Sequence, residues 1–195
     1  MITSAEGARN KAIIRMFAET GIRRFELASL TVTDIRFDHS QIVIRNGKGR
    51  KSRVVPITER LKRDLLPLVG NRTSGPVFRS QSDRPLSLRQ LNRIVAQTGR
   101  LARVTNPNPR YQQITCHLFR HTFARLWKER RGSIETLTRI LGHAQASTTW
   151  SLYGTESQQD VQRNFEATIK RMFSPDPQSR KMPGNPDDSK GDYEE

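Results

Sequence analysis

Apolar positions along the chain change their period twice, and those changes mark out the expected elements. From Lys11 to Thr20, Ile13, Ile14 and Phe17, joined by Met16, recur at the spacing of one helix face, and Gly21 stands where a helix-ending glycine belongs. A second short helix is expected from Arg23 to Leu30, carrying Glu26, Leu27 and Leu30. The period then falls to two. Ile35 and Phe37 alternate, Ile42 and Ile44 alternate, and Val54-Val55-Pro56-Ile57 forms a third run. Asp38-His39-Ser40 and Asn46-Gly47-Lys48-Gly49-Arg50-Lys51 supply turn residues between them. The pattern predicts a small antiparallel sheet of three strands with a basic hairpin tip.

Helical spacing returns from Glu59 to Val69, followed by a connector rich in Gly, Pro and Ser from Gly70 to about Asp83. Ser87 is placed to cap a helix bearing Leu88, Leu91, Ile94 and Val95. A loop at Thr105 to Pro109 precedes a helix capped by Thr115, with Leu118, Phe119, Phe123 and Leu126 on its apolar side. Gly132 ends that segment, Ser133 caps Ile134 to Leu141, and Ser147 caps a short segment reaching Tyr153. A last helix, from Thr155, carries the stripe Val161, Phe165, Ile169 and Met172. Residues 1–10 are polar and expected to be loose. Residues 174–195, dominated by Pro, Gly, Ser and charge, are expected to be disordered. What remains, 11–173, is expected to be one mostly helical α+β domain.

Charge changes this picture. The chain carries 34 Lys and Arg against 19 Asp and Glu, a net of +15. The last 22 residues hold three basic and six acidic side chains, so the preceding 173 carry +18. A body that basic favours a polyanion, and nucleic acid leads the candidates. The single cysteine, Cys116, excludes an internal disulfide framework and fits a reducing compartment. No secretory signal pattern or long apolar run is visible, so a cytoplasmic, DNA-associated protein is expected.

Several polar residues interrupt otherwise structural positions. Arg23 opens a helix, Lys48 sits between two glycines, and His117 and Arg120 lie three apart, one turn from each other on a helix. His143 follows Leu141-Gly142, and Tyr153 lies ten residues on. An arginine that keeps its charge beside a histidine that exchanges a proton suits a phosphate. Each residue also has a plain structural use: Arg23 pairing with Glu26, Lys48 solvated in a turn, His143 bonded to a carbonyl, Tyr153 in a core. His121 is expected to be packed and hydrogen-bonded, and Cys116 buried. His117 and His121 have the spacing of a zinc helix, but Leu118 stands where a zinc protease needs glutamate, and no Asp/Glu cluster suggests a two-metal nuclease.

In that order, these residues resemble the tyrosine recombinase (phage integrase) family. Thr20-Gly21-Ile22-Arg23-Arg24-Phe25-Glu26-Leu27 resembles its first arginine box, and Gly47-Lys48-Gly49 followed by Arg53-Val54-Val55-Pro56-Ile57 its lysine hairpin. His117 to Ala124 resembles the second box. Leu141-Gly142-His143, Ser147-Thr148-Thr149 and Tyr153 resemble the last. The resemblance implies site-specific cleavage and rejoining of double-stranded DNA, without metal or cofactor. Tyr153 would form a 3′-phosphotyrosyl link, Arg23 and Arg120 would hold the phosphoryl oxygens, and His117 would accept the tyrosine proton. Lys48 would protonate the leaving 5′ oxygen, and His143 would bond a phosphoryl oxygen. Arg50, Lys51, Arg53, Arg89 and Arg93, with Arg100 and Arg103, are expected at DNA phosphates. The C-terminal helix at 155–173 is expected to dock on a neighbouring copy, as a dimer or tetramer on DNA, or to pack within its own chain.

Three departures bear on activity. At this length the chain is expected to lack the family's N-terminal core-binding domain. The step from His143 to Tyr153 is one residue longer than usual, and Arg24 and Phe25 replace residues of other character. The alternatives are a truncated or catalytically impaired DNA-binding relative, a type IB-like topoisomerase, and a basic interaction protein.

Overall fold

The computed structural model describes residues 1–45, 52–107, 112–142 and 158–174. Seven α-helices are described: α1 (Gly7–Thr20), α2 (Arg24–Ala28), α3 (Glu59–Val69), α4 (Leu88–Leu101), α5 (Cys116–Glu129), α6 (Ile134–Leu141) and α7 (Gln158–Met172). One antiparallel sheet joins β1 (Ile35–Arg36), β2 (Gln41–Ile44) and β3 (Arg53–Pro56) in chain order. The architecture is mostly helical α+β with a small three-stranded sheet, as the changes of period predict.

The core is built around α1. Ala12, Ile13, Ile14, Met16 and Phe17 are fully buried, and the helix packs between α3 and α5. Helix α5 buries Phe123 and Trp127, with Phe119 tilted over Phe17 of α1 at 6.0 Å between ring centres. Local chemistry starts four of these helices where expected. The side chains of Thr58, Ser87, Thr115 and Ser133 each accept a hydrogen bond from a backbone N–H in the first turn of α3, α4, α5 and α6. Gly21 ends α1 with φ +59°. A Cβ there would lie 2.8 Å from both Phe123 and Leu141, so two constraints require glycine.

Helix α2 is shorter than expected, Arg24–Ala28 and not Arg23 to Leu30, and two further boundaries differ from the periodicity. Helix α1 begins at Gly7, not Lys11, and Ile2–Ser4 forms a 3₁₀ turn where a loose terminus was expected. That first turn buries little and so shows no apolar period. It is held instead by Arg9, which donates to the carbonyl of Arg79 at 2.7 Å, while Met1, Ile2 and Ala5 pack on the core. Phe37 leaves the strand: Phe37–His39 is a 3₁₀ turn closed by Ser40 at φ 48°, so β1 is only two residues long.

The stripe on α7 packs within its own chain. Val161, Phe165, Ile169 and Met172 are all buried, and Phe165 stacks at 6.3 Å from Trp127 of α5. Of the two expected uses of this stripe, the contact in cis is the one observed. No described helix is long and apolar enough to cross a membrane.

Candidate phosphate-binding site

The candidate site forms where α2, α5, β3 and the end of α6 meet. A helix leaves its last carbonyls without partners, and these carry partial negative charge. At α6 they are met by three arginines. Arg53 donates from Nε to the carbonyl of Ile140 at 2.7 Å. Arg120 donates from Nη2 to that of Leu141 at 2.7 Å, and Arg23 reaches the same oxygen at 3.3 Å. Arg120 also donates from Nη1 to the carbonyl of Gly21 at 2.8 Å, which ties α5 to the junction of α1 and α2.

One buried carboxylate sits among these cations. Glu26 is 3% exposed. It accepts a two-pronged bond from Arg53, at 2.7 Å to Oε1 and 2.8 Å to Oε2. Arg23 donates its backbone N–H to Oε2 at 2.8 Å and its Nη1 to Oε1 at 3.1 Å. Burial acts to raise the Glu26 carboxyl, but the hydrogen bond and charge of Arg53, with the backbone and side-chain hydrogen bonds of Arg23, carry it below the ordinary value. Burial pushes the Arg120 guanidinium down to about 10, the positive charges of Arg23 and Arg53 add to this, and Glu26 opposes it. Arg120 therefore stays charged at neutral pH. Three guanidiniums facing one carboxylate leave two uncompensated positive charges, a receptor for an anion.

The cluster adjoins a cleft of about 850 Å³, whose lining includes Arg23, Arg24, Phe25, Asn92, His117, Arg120 and His121. His117 and His121 are both exposed on α5 and share a hydrogen bond, Nε2 to Nε2 at 2.7 Å. One ring supplies the proton and the other the lone pair, so the bond fails if both protonate. Burial lowers the pKa of His117, and the charges of His121 and Arg120 lower it further, so His117 is ready to accept a proton at neutral pH. Burial raises the Cys116 thiol to about 11, against the opposing charge of Arg24, and its Sγ donates to Asn92 Oδ1 at 3.3 Å. It is a packed, unreactive thiol.

Of the expected site residues, Arg23, His117 and Arg120 converge on this cleft. Arg53, expected at a DNA phosphate, turns inward instead: its side chain is 9% exposed and its guanidinium is bound to Glu26 and α6. Arg89 and Arg93 are exposed on α4 and, with Arg100, line a shallow groove of about 410 Å³. That groove shares Asn92 with the larger cleft. Lys48, Arg50, Lys51, His143 and Tyr153 lie outside the described residues. Among the described residues, no group of three or more His, Cys, Asp or Glu is placed to hold a metal ion. Glu26 was visible in the sequence only as a neighbour of Arg23. Its main partner, Arg53, is 27 residues away and carries no local signal.

Comparison with known proteins identifies the family and the fold. The phage integrase family matches residues 1–160 of the chain. The tyrosine recombinase XerA of Pyrococcus furiosus is 32% identical over 146 residues, covering 72% of this chain and 48% of that protein. The crystal structure of XerA recombinase superposes with a TM-score of 0.63 at 27% identity, over 93% of this chain and 62% of that one. A lambda integrase dimer bound to a COC′ core site shares the fold, with a TM-score of 0.59 at 18% identity over 76% of this chain and 56% of that one. The chain thus spans about half the length of the curated relative it matches.

Proposed function

The chain belongs to the phage integrase family, and on that premise we propose that it is the catalytic part of a site-specific DNA recombinase. The observation that carries this reading is the arginine cluster. Arg23 and Arg120 are fixed by backbone carbonyls beside a cleft that also presents His117, with two positive charges uncompensated. A phosphodiester under attack gains negative charge on its non-bridging oxygens, and preorganised guanidiniums stabilise that charge.

In this reading the Tyr153 hydroxyl loses its proton to His117 and attacks phosphorus. The bond to the 5′ oxygen breaks, and Lys48 protonates that leaving oxygen to give a free 5′ hydroxyl. The phosphotyrosyl bond conserves the energy of the broken diester, and a 5′ hydroxyl attacking in reverse rejoins the strand. His143 would bond a phosphoryl oxygen. Arg89 and Arg93 would hold flanking phosphates and set the register of the duplex, while Arg50 and Lys51 of the hairpin segment add to the electrostatic attraction. Self-association on DNA belongs to the same reading. With the apolar stripe of α7 already buried in cis, that contact needs either another surface or release of the helix.

The test is a covalent trap. The protein is incubated with duplex DNA from its own source and quenched in SDS; after nuclease treatment the Tyr153 peptide is examined by mass spectrometry. A nucleotide phosphate on Tyr153, lost in Tyr153→Phe while DNA binding persists, is the expected result. Binding without any adduct would point to a binding-only relative. An adduct that survives in Tyr153→Phe would overturn the nucleophile. Relaxation of supercoiled DNA lacking any defined site would favour a topoisomerase.

A further inference from the structure

Arg53 reaches two helices from its place on the sheet. It sits on β3, grips both oxygens of Glu26 on α2, and caps Ile140 at the end of α6. The end of α6 closes over its stem: Gly142 has φ +63°, and a Cβ there would lie 2.8 Å from Arg53 Cδ. Glycine at this turn leaves the space the guanidinium stem occupies.

The fork has an electrostatic consequence. Arg53 holds both oxygens of Glu26 at 2.7 and 2.8 Å, whereas the Arg23 guanidinium reaches one of them, at 3.1 Å. Without Arg53, a buried carboxylate would be left with Arg23 as its bonded cation and Arg120 close enough to feel its charge. It would turn onto them and occupy the donors that an anion needs. The cluster would fall from two uncompensated positive charges to one.

We propose that Arg53 is a positioning residue, which by holding Glu26 keeps Arg23 and Arg120 available to a phosphodiester, and which does not itself contact DNA. The proposal rests on the recombinase reading for its substrate. Its geometry does not.

The test is a double-mutant cycle of R53M and E26Q, read as single-turnover cleavage per folded molecule alongside the DNA dissociation constant and its salt dependence. R53M is expected to slow cleavage by about 10- to 100-fold, the range for groups that orient a reacting site without touching it. In the E26Q background the same change should cost about threefold or less, because the competing carboxylate is gone. In the E26Q background, where no carboxylate competes for Arg23 and Arg120, adding R53M should leave the salt slope of binding unchanged. A slope lower by about one would make Arg53 a phosphate contact and overturn the proposal. Equal losses in both backgrounds, or R53M cleaving like the parent per folded molecule, would also overturn it. If R53M does not fold, E26Q/R53M replaces the buried pair with neutral groups of similar volume and is compared with E26Q alone.

A second readout does not depend on cleavage. Inorganic phosphate should raise the unfolding temperature of the parent and of E26Q/R53M but not of R53M. Should the parent form no DNA adduct while this pattern holds, the recombinase reading fails and the positioning role stands. Equal stabilisation of every variant by phosphate would sink the positioning role alone.

Discussion

Two groups of arginines in this chain share a residue type and almost nothing else. Arg120 is buried and Arg53 nearly so, and they spend donors on Glu26 and on the carbonyls of Gly21, Ile140 and Leu141. Arg89, Arg93 and Arg100 stand exposed along α4. A buried guanidinium must be paired or hydrogen-bonded, and once bound it is rigid and strongly coupled to its neighbours. An exposed one is solvated, screened by salt and free to follow a phosphate backbone. The net charge of +15 counts both groups alike. Burial separates an anion receptor of fixed geometry from a surface that attracts DNA without fixing its position.

The largest effect that would sharpen this contrast is at Glu26. Glu26→Ala leaves the nearly buried Arg53 without its carboxylate and is expected to cost about 3–5 kcal/mol, measured by urea unfolding at neutral pH. Glu26→Gln keeps the shape and some hydrogen bonds, so it should cost less. Acid titration should show the same pair. The folded pKa of Glu26 lies below its ordinary 4.5, so between those two values the unfolded chain binds more protons. Stability from this group is therefore fully present above pH 4.5 and is lost as pH falls through the folded value. In Glu26→Gln that part of the acid sensitivity should vanish.

How far the sequence revealed this site follows from the range of each signal. Capping is local, so Ser87, Thr115 and Ser133 could be placed on their helices from spacing alone, and all three cap as expected. The spacing of His117 and Arg120 put both on one side of α5. It could not show that Arg120 is buried and braced by Gly21 and Leu141, residues 99 and 21 positions away. Arg53 looked like one more cation on a basic hairpin, since nothing near it in sequence announces Glu26. Phe37 kept the strand period, but the left-handed Ser40 turns the chain first. Long-range pairing is where a one-dimensional pattern loses its grip.

The exposed arginines should respond in the opposite way to Glu26. Arg89→Ala and Arg93→Ala remove charges with no buried partner, so unfolding free energy should stay within about 0.5 kcal/mol of the parent. Their loss should appear in DNA binding, each lowering the salt slope by about one and weakening binding similarly across sequences. The measurement is a salt titration of the dissociation constant. A large loss of stability, or an unchanged slope, would break the division between the two groups of arginines.

The smallest expected effect concerns His117, which is exposed yet stands beside the buried group. Burial, the charge of His121 and the charge of Arg120, in that order, lower its pKa from the ordinary 6.5. If His117 takes the tyrosine proton, the cleavage rate should rise with pH through a midpoint below 6.5 and be level at neutral pH. His121→Gln removes a like charge 4.3 Å away between ring centres, so the midpoint should move upward toward 6.5. Arg89→Ala should leave it in place, because that charge belongs to the solvated surface. The check is a pH profile of single-turnover cleavage for the three proteins. A midpoint that shifts with Arg89 and not with His121 would mean that the surface field, not the local cluster, sets the proton affinity at this cleft.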